Sequence, residues 1–253
     1  MAYPLVIILI TSFKSNEEVV QNPTGLPDTW TLDNYATTWV DGNFAQLFGN
    51  SLLLTLSSMT LATFAASLAS YAVVTRFSRV SSIIYLLIAT GIFLPLQLAV
   101  IPQFKVVRDL GLIDSYLGVI AVYAATSIPF GVFLIAAFMR QMPQEIVEAG
   151  VLDGAGYFRM YWSVYLPLSR PAIATFWVLQ GVQIWNDYLV PLLFLSDPSK
   201  RTLTTGILVF KQQYLADWGN IMAGVVIMSI PVVALFMFAQ RYFINGLYAG
   251  AVK

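Results

Sequence analysis

The side chains that could do chemistry in this chain are few, because its 253 residues include no Cys and no His. Most nucleophilic catalysis and most zinc sites need a thiolate or an imidazole, so we expect neither. No stretch matches the phosphate-binding pattern GxxxxGK[ST]. Gly154 and Gly156 lack the third glycine of a dinucleotide-binding loop and follow no strand pattern. We therefore predict that the chain is no enzyme, binds no metal or cofactor, and depends on another protein for any ATP.

The remaining polar side chains of interest lie within long apolar stretches. A charge in such a stretch usually faces protein or a water-filled path. Asp187 is the one charge of this kind, and it could line a path, lie at an inter-subunit contact, or make structural hydrogen bonds together with Asn186. Aromatic rings in the same region could contact a solute or form an interfacial belt. The candidates for a translocation path are Gln97, Gln180, Gln183, Trp185, Asn186, Asp187 and Tyr188, with Gln103 as a further amide.

The composition limits what these residues can belong to. Hydrophobic residues make up 58% of the chain and charged residues only 10%, against roughly 25% in an ordinary soluble domain. So few charges cannot cover a soluble surface, which excludes a soluble enzyme and a disordered chain. The 13 Lys and Arg are balanced by 13 Asp and Glu, so no basic excess is available for nucleic acid. The expected surroundings are membrane lipid.

Long apolar segments predict an all-α polytopic membrane protein, since backbone polar groups in lipid must be satisfied within a helix. A span needs ~20 apolar residues. Residues 1–13 are too short, so we expect six transmembrane helices of which the first is truncated and begins upstream. No positive segment or cleavage site marks residues 1–13 as a signal peptide. The predicted spans are 1–13, 51–75, 81–104, 115–139, 171–195 and 221–240.

The distribution of Lys and Arg orients these spans. Residues 76–80, 140–170 and 241–253 share one side and carry Lys and Arg more densely than the other side, which predicts that this side, and the C-terminus, is cytoplasmic. On the other side, Lys14–Gly49 contains Pro23, Gly25 and Pro27 and is expected to be an ordered, non-helical loop. Ser196–Asn220 is long enough to be functional and contains Phe210, Tyr214 and Trp218.

The segment 140–170 has the most informative local pattern. Pro143 can begin a helix, because a proline in the first turn loses no needed N–H. We expect helices over Gln144–Leu152 and Tyr157–Tyr165, a compact turn at Gly154-Ala155-Gly156, and a stop at Leu166-Pro167. Gly154 should permit either a close approach or an unusual φ.

This segment resembles the EAA loop of the permease subunits of bacterial ATP-binding-cassette importers. That loop reads E-A-A, three residues, G, nine residues, I-x-L-P. The matching residues, at the right spacing, are Glu148, Ala149, Gly154, Leu166 and Pro167, while Gly150 and Val164 are mild replacements. The rest of the chain is similar to the MalG-like, carbohydrate-uptake branch of that family. The segments that carry this similarity are Thr11–Lys14, Leu32–Tyr35, Asn50-Ser51, Ile101-Pro102, Ile128–Phe130, Ile184–Asp187, Gln240–Leu247 and Gly250–Lys253.

The resemblance implies a single transmembrane permease domain over residues 1–253, in the bacterial cytoplasmic (inner) membrane, with a cytoplasmic coupling loop at 142–167. It implies import of a sugar, a di- or oligosaccharide, by alternating access. The implied partners are a second, MalF-like permease subunit, two ATPase subunits that hold ATP and Mg, and an extracytoplasmic sugar-binding protein.

The same resemblance assigns roles to residues. It implies that the residues coupling the chain to the ATPase are Glu148, Ala149, Gly150, Asp153, Gly154, Ala155, Leu166 and Pro167. It implies that the tail contacts the ATPase through Gly250, Ala251, Val252 and Lys253. It implies that the loop over Leu203–Trp218, with Phe210, Tyr214 and Trp218, meets the binding protein.

Three alternatives remain open. The same architecture could import glycerol phosphate or a polyol. An ion-coupled secondary transporter would need ionisable residues in several spans, and only Asp187 is available. A membrane scaffold with no solute would tolerate changes at Gly154.

Overall fold

The computed structural model describes residues 3–76, 78–94, 96–210 and 217–251, with backbone alone at 96, 97, 209 and 238–251. All regular elements in these ranges are helical and none is a strand, which confirms the all-α prediction. The α-helices are α1 Tyr3–Thr11, α2 Asn16–Gln21, α3 Asp33–Val40, α4 Phe44–Thr75, α5 Arg79–Thr90, α6 Leu96–Asp109, α7 Tyr116–Met139, α8 Gln144–Leu152, α9 Tyr157–Met160, α10 Leu166–Leu168, α11 Arg170–Asn186, α12 Leu189–Phe194, α13 Leu203–Gly206 and α14 Trp218–Ala251.

Three helices in the described residues are long and apolar enough to cross a membrane: α4, α7 and the Trp218–Met237 part of α14. A bent pair, Arg79–Phe93 and Leu98–Asp109, would make a fourth if it is one span; the helix direction bends by 109° between its two arms. The predicted span 81–104 is therefore two helices. The second of these, α6, continues through Pro102 to Asp109 and so extends beyond the predicted end at 104. A proline removes one backbone hydrogen bond, and the helix resumes after it.

The predicted span 171–195 is also interrupted, between α11 and α12. The carboxylate of Asp187 accepts hydrogen bonds from the amides of Leu189 (3.2 Å) and Val190 (3.1 Å), which begin α12. Pro191 has no amide hydrogen to donate to the carbonyl of Asp187, and the hydroxyl of Thr204 donates to that carbonyl instead, at 2.7 Å. The break is thus held by a residue outside the segment.

The expectation of a non-helical loop over Lys14–Gly49 is wrong, because α2 and α3 lie within it. The hydroxyl of Ser15 accepts a hydrogen bond from the amide of Glu18 at 3.3 Å. Glu17 and Glu18 lie in the first turn of α2, where the helix dipole favours carboxylates. The local chemistry of the segment 15–18 therefore begins a helix well before Pro23.

The chain forms two compact units. The first comprises Met1–Leu53 and Asn186–Phe236, and it brings Thr11–Lys14 and Leu32–Tyr35 together. The side-chain amide of Asn34 donates to the carbonyls of Ser12 and Lys14, at 2.9 and 2.7 Å. The hydroxyls of Ser12 and Tyr35 are 2.6 Å apart. Lys14 is fully buried, and its ammonium group donates to the carbonyl of Asn22 at 2.6 Å.

Asn50-Ser51 organises another part of the first unit. The amide of Asn50 donates to the carbonyls of Ser199 (2.9 Å) and Arg201 (2.8 Å), and the backbone amide of Leu203 donates to the hydroxyl of Ser51. These bonds fix the segment that follows α12. Asn50-Ser51, one of the segments that carry the family similarity, thus anchors a loop about 150 residues away along the chain.

The second unit comprises Leu54–Trp185 and Met237–Lys253. Three of its helices pack closely at Gly131 of α7, where an added Cβ would lie 2.8 Å from Cβ of Ala66 and 2.9 Å from the ring of Phe176. Helices α4, α7 and α11 therefore approach one another through a residue without a side chain. Buried residues of the same core include Val132, Ile135, Ala136 and Met139.

Candidate functional site

The segment 142–167, hereafter the EAA-like loop, begins with α8, whose bounds Gln144–Leu152 are those predicted. The helix ends in a Schellman motif. The amide of Gly154 donates to the carbonyl of Val151 and that of Ala155 to the carbonyl of Gly150, each at 3.0 Å. Gly154 has φ +72, and an added Cβ there would meet no heavy atom within 4 Å. Of the two properties expected at Gly154, the structure shows the unusual φ.

The close approach expected at Gly154 occurs instead at Gly150. An added Cβ at Gly150 would lie 2.7 Å from Sδ and 3.2 Å from Cε of Met160, with Val164 behind them. Gly150 therefore lets α8 pack against the second half of the loop. This explains in local terms why glycine stands where the family pattern has alanine.

The second half of the loop is longer and less regular than predicted. Helix α9 is followed by a π-helical turn over Tyr161–Tyr165 and then by α10. The expected stop at Leu166-Pro167 is wrong, because Pro167 lies in the first turn of α10, where its missing amide is not needed. The turn before α11 occurs at Ser169, whose amide and hydroxyl both donate to the carbonyl of Tyr165, at 3.0 and 2.7 Å.

A cluster of four tyrosines fastens the EAA-like loop to α4. The ring of Tyr71 lies 4.6, 5.3 and 4.9 Å, centroid to centroid, from those of Tyr157, Tyr161 and Tyr165. The hydroxyl of Tyr71 donates to the carbonyl of Tyr157 at 2.8 Å. Burial raises the pKa of Tyr165 above the usual value of a tyrosine.

A second bond joins Ser67 to Tyr161, with 2.8 Å between their hydroxyl oxygens. The sequence analysis missed this cluster. The signal available was the spacing of Tyr157, Tyr161 and Tyr165, which puts three rings on one helical face. Their partner on α4 could not be read from that spacing.

The outer surface of the EAA-like loop is apolar and uncovered by this chain. Leu152 is 87% exposed and Phe158 76% exposed, and Ile146, Val151 and Trp162 are also exposed. Glu148, Ala149, Asp153 and Gly154 are exposed beside them, together with Glu145. Ala155 and Leu166, by contrast, pack against the buried core that contains Tyr161 and Tyr165. The loop thus has an anchored inner face and a free outer face, which we call the loop surface.

The residues predicted for a translocation path differ in accessibility. Gln183 and Asn186 are exposed, Gln180 is half-buried and Tyr188 is partly exposed. Trp185 is buried, so its ring presents little surface to a solute or to lipid. Asp187 has the structural hydrogen bonds described above. Gln97 lies in α6, and its side chain is outside the described residues. In the described chain no cluster of three carboxylates could hold a metal ion.

The remaining predicted sites are only partly described. The ring of Phe210 packs close to Gly42, where an added Cβ would be 2.8 Å away. Trp218 is 44% exposed, and its backbone amide donates to Asn16. Tyr214, Val252 and Lys253 lie outside the described residues, while Gly250 and Ala251 belong to the backbone of α14.

Comparison with known proteins places this geometry among transport proteins. The sequence model of the family "Binding-protein-dependent transport system inner membrane component" matches residues 58–247. The chain is 32% identical to the diacetylchitobiose uptake system permease protein NgcG of Streptomyces coelicolor, over 99% of this chain and 83% of that protein. It is 35% identical to the probable starch degradation products transport system permease protein AmyC of Thermoanaerobacterium thermosulfurigenes, over 99% and 91%.

Among solved structures, the fold matches a bacterial ABC transporter involved in the import of the acidic polysaccharide alginate. The TM-score is 0.83 and the identity 24%, with 96% of this chain and 90% of that chain covered. The match extends over nearly the whole chain.

Proposed function

Because the chain belongs to the family of inner membrane components of binding-protein-dependent transport systems, a family of transporters and not of enzymes, we propose that it carries a di- or oligosaccharide inward under the control of a partner ATPase. In this proposal the EAA-like loop docks on the ATPase, which holds ATP and Mg. A second permease subunit completes the pathway, and an extracytoplasmic binding protein delivers the sugar. The side that carries residues 142–167 and the C-terminus is the cytoplasmic one.

The observation that carries the coupling proposal is the loop surface. Exposed Leu152 and Phe158 would each lose apolar area to a partner, which is favourable by about 25 cal/mol per Å². Large exposed apolar groups of this kind mark interaction sites. Glu145, Glu148 and Asp153 are exposed in the same loop with Arg159 as the one cation, so the loop has a net negative charge. We therefore expect the partner's cleft to be apolar with a basic rim.

The inner face of the loop explains how docking could move the pathway. Tyr71 ties α9 and the π turn to α4 by a hydrogen bond and ring contacts. Ser169 joins the loop to the start of α11. A partner that displaces the loop as a rigid body would displace both helices, which is the type of change that alternating access requires.

The sugar proposal rests on the relatives and on side-chain chemistry. The relatives' names give diacetylchitobiose and starch degradation products as their cargo. Neutral sugars are rich in hydroxyls, so amides such as Gln180, Gln183 and Asn186 suit a route for them. Phe210, Tyr214 and Trp218 remain our candidates for contact with the binding protein, and Gly250–Lys253 for contact of the tail with the ATPase.

The coupling proposal is tested with Leu152→Asp. Leu152 is 87% exposed, so the fold has little to lose from the substitution, while a buried carboxylate in a docked interface would be costly. The tagged full-length chain is purified in mild detergent, and the co-purified ATPase is measured by quantitative mass spectrometry. We expect at least a tenfold loss of ATPase with Leu152→Asp.

The matched control is Leu26→Asp, which changes a 67% exposed leucine in the segment predicted to lie on the opposite side. Leu26→Asp should retain the ATPase at the native level. Equal retention by both variants would contradict docking through the loop surface.

The cargo is tested separately, by comparing uptake into cells of the native host with and without the gene for this chain. We expect accumulation of labelled di- and oligosaccharides. Accumulation of glycerol phosphate or of a polyol, with none of the sugars, would replace the cargo and leave the coupling proposal intact.

A further inference from the structure

A cavity with a volume of about 660 Å³ opens in the second unit where α4 ends, α5 begins and α7 ends. Three arginines line it: Arg76 follows α4, Arg79 begins α5 and Arg140 follows α7. Ser78 and Ser81 contribute hydroxyls to the same wall. Nothing in the coupling proposal uses this cavity.

The charge of the cavity is strongly one-sided. No Asp or Glu lines it, and none of the three arginines forms an ion pair with a carboxylate within the described part of the chain. All three arginine residues are exposed. Arg140 is held in place by the ring of Tyr85, with its guanidinium carbon 4.3 Å from the ring centroid. Three cations converging without counter-charges favour an anion, and the fork of a guanidinium suits phosphate oxygens in particular.

The position of the cavity at the membrane surface indicates the source of the anion. α4 and α7 are membrane-length helices, and they end at Thr75 and Met139, one residue before Arg76 and Arg140. The arginines therefore lie where a span meets water, the depth of lipid headgroups.

A second cavity, with a volume of about 420 Å³, adjoins the first and shares Arg76, Ser78 and Ser81 with it. Its remaining lining is mostly apolar and includes Ala69, Ile84 and Ile88, together with Tyr157 of the EAA-like loop. A charged compartment that continues into an apolar one matches a phosphate headgroup joined to acyl chains. An acidic protein segment would bind in the charged compartment but would leave the apolar one unfilled.

We propose that this cavity binds the phosphate of an anionic phospholipid, with Arg76, Arg79 and Arg140 as its cationic ligands and the adjoining apolar groove as the seat of an acyl chain. Each arginine near an anionic lipid surface contributes about a fivefold gain in affinity. The site requires only that the chain lies in the membrane, so it stands independently of the cargo and of the docking of the EAA-like loop.

The experiment uses the full-length chain in nanodiscs of phosphatidylcholine with increasing phosphatidylglycerol, and native mass spectrometry counts the lipids retained. Arg79→Gln should weaken retention of phosphatidylglycerol about fivefold, and Arg79→Gln with Arg140→Gln roughly 25-fold. Arg79→Lys keeps the charge and should keep most of the binding, which separates loss of the site from loss of the fold. Arg108→Gln is the matched control, since Arg108 is exposed, pairs with Asp109 and lies outside both cavities.

Several outcomes would overturn the proposal. These are equal retention of phosphatidylcholine and phosphatidylglycerol, an equal effect of Arg108→Gln, or displacement of the lipid by millimolar inorganic phosphate, which would identify a free-anion site. Loss of a co-purified protein from the Arg79 and Arg140 variants with unchanged lipid retention would identify a protein-docking surface. Failure of Leu152→Asp to release the ATPase would leave the lipid result unaffected.

Discussion

Gly150 and Gly154 serve different physical purposes, although both belong to one short motif. Gly154 adopts a left-handed φ in open space, so the constraint on it is conformational. Gly150 has the ordinary helical backbone of α8, and the constraint on it is the distance to Met160. A substitution at either position therefore reports on a different property of the loop.

Gly154→Ala should cost about 1–2 kcal/mol through its left-handed backbone alone, since no atom obstructs the new Cβ. Gly156→Ala is the matched control, because Gly156 has φ −67 and its Cβ would also meet nothing within 4 Å. Thermal unfolding of the purified chain in detergent measures both. A similar loss of stability in the two variants would contradict the strained-backbone account.

Tyr71→Phe should lower stability by about 0.5–1.5 kcal/mol, because the carbonyl of Tyr157 would lose one hydrogen bond while the amide of Tyr161 still donates to it and the ring contacts stay. Tyr71→Ala should cost more, since the contacts with three rings are lost as well. Tyr3→Phe, at a 67% exposed tyrosine, should leave stability unchanged. Detergent unfolding followed by tryptophan fluorescence compares the three, and a neutral Tyr71→Phe would mean that the bond to Tyr157 is dispensable.

The helices of the second unit owe their spacing to small residues as much as to apolar ones. α4, α7 and α11 meet at Gly131, with Ala66 and Phe176 at under 3 Å from the position of an added Cβ. Small residues at such crossings are the usual means of close helix packing in membranes, where lipid is as apolar as the helices themselves. Packing geometry, and not hydrophobicity, therefore decides this contact.

Gly131→Ala should destabilise the protein by about 1–3 kcal/mol, because the added methyl group overpacks a site that cannot move without shifting a helix. The same change at Gly181 of α11 is the control, since its Cβ would have Met59 at 3.9 Å, an ordinary contact. Thermostability measured by size-exclusion chromatography after heating separates the two. The account fails if Gly181→Ala is the more damaging variant.

For the protein as a whole, the bilayer replaces water as the solvent of most of the surface. Many large apolar side chains on the long helices are exposed, among them Phe64 on α4. The EAA-like loop also exposes a phenylalanine, Phe158, outside the membrane-length helices. Exposure alone thus does not distinguish a residue that faces lipid from one that faces a protein partner. The position of the residue inside or outside a membrane-length helix makes that distinction.

Phe64→Arg should impair membrane insertion, because an arginine near the centre of a span costs about 2.5–3.5 kcal/mol. Phe158→Arg should insert normally, since Phe158 is 76% exposed but lies in the loop. The amount of tagged chain in the membrane fraction measures both. Normal insertion of Phe64→Arg would place that face of α4 against a water-filled path or a polar partner.

The sequence by itself determined the properties that depend on composition and on neighbours along the chain. Apolar length identified α4, α7 and much of α14 as membrane helices, and Pro143 and Gly154 set the bounds of α8. These features depend on backbone hydrogen bonds within a helix, on its capping residues and on a run of apolar side chains. All of these interactions join residues that are close together in the sequence.

The tertiary structure decided what depends on residues far apart in the chain. The break at Asp187 is held by Thr204, the EAA-like loop is fastened by Tyr71, and the segment after α12 is fixed by Asn50. The sequence offered no rule for these pairings, because a hydroxyl or an amide can bond many partners, and only the packing of helices selects one. The arginine-lined cavity arises in the same way, from three helix ends whose nearness is a property of the fold.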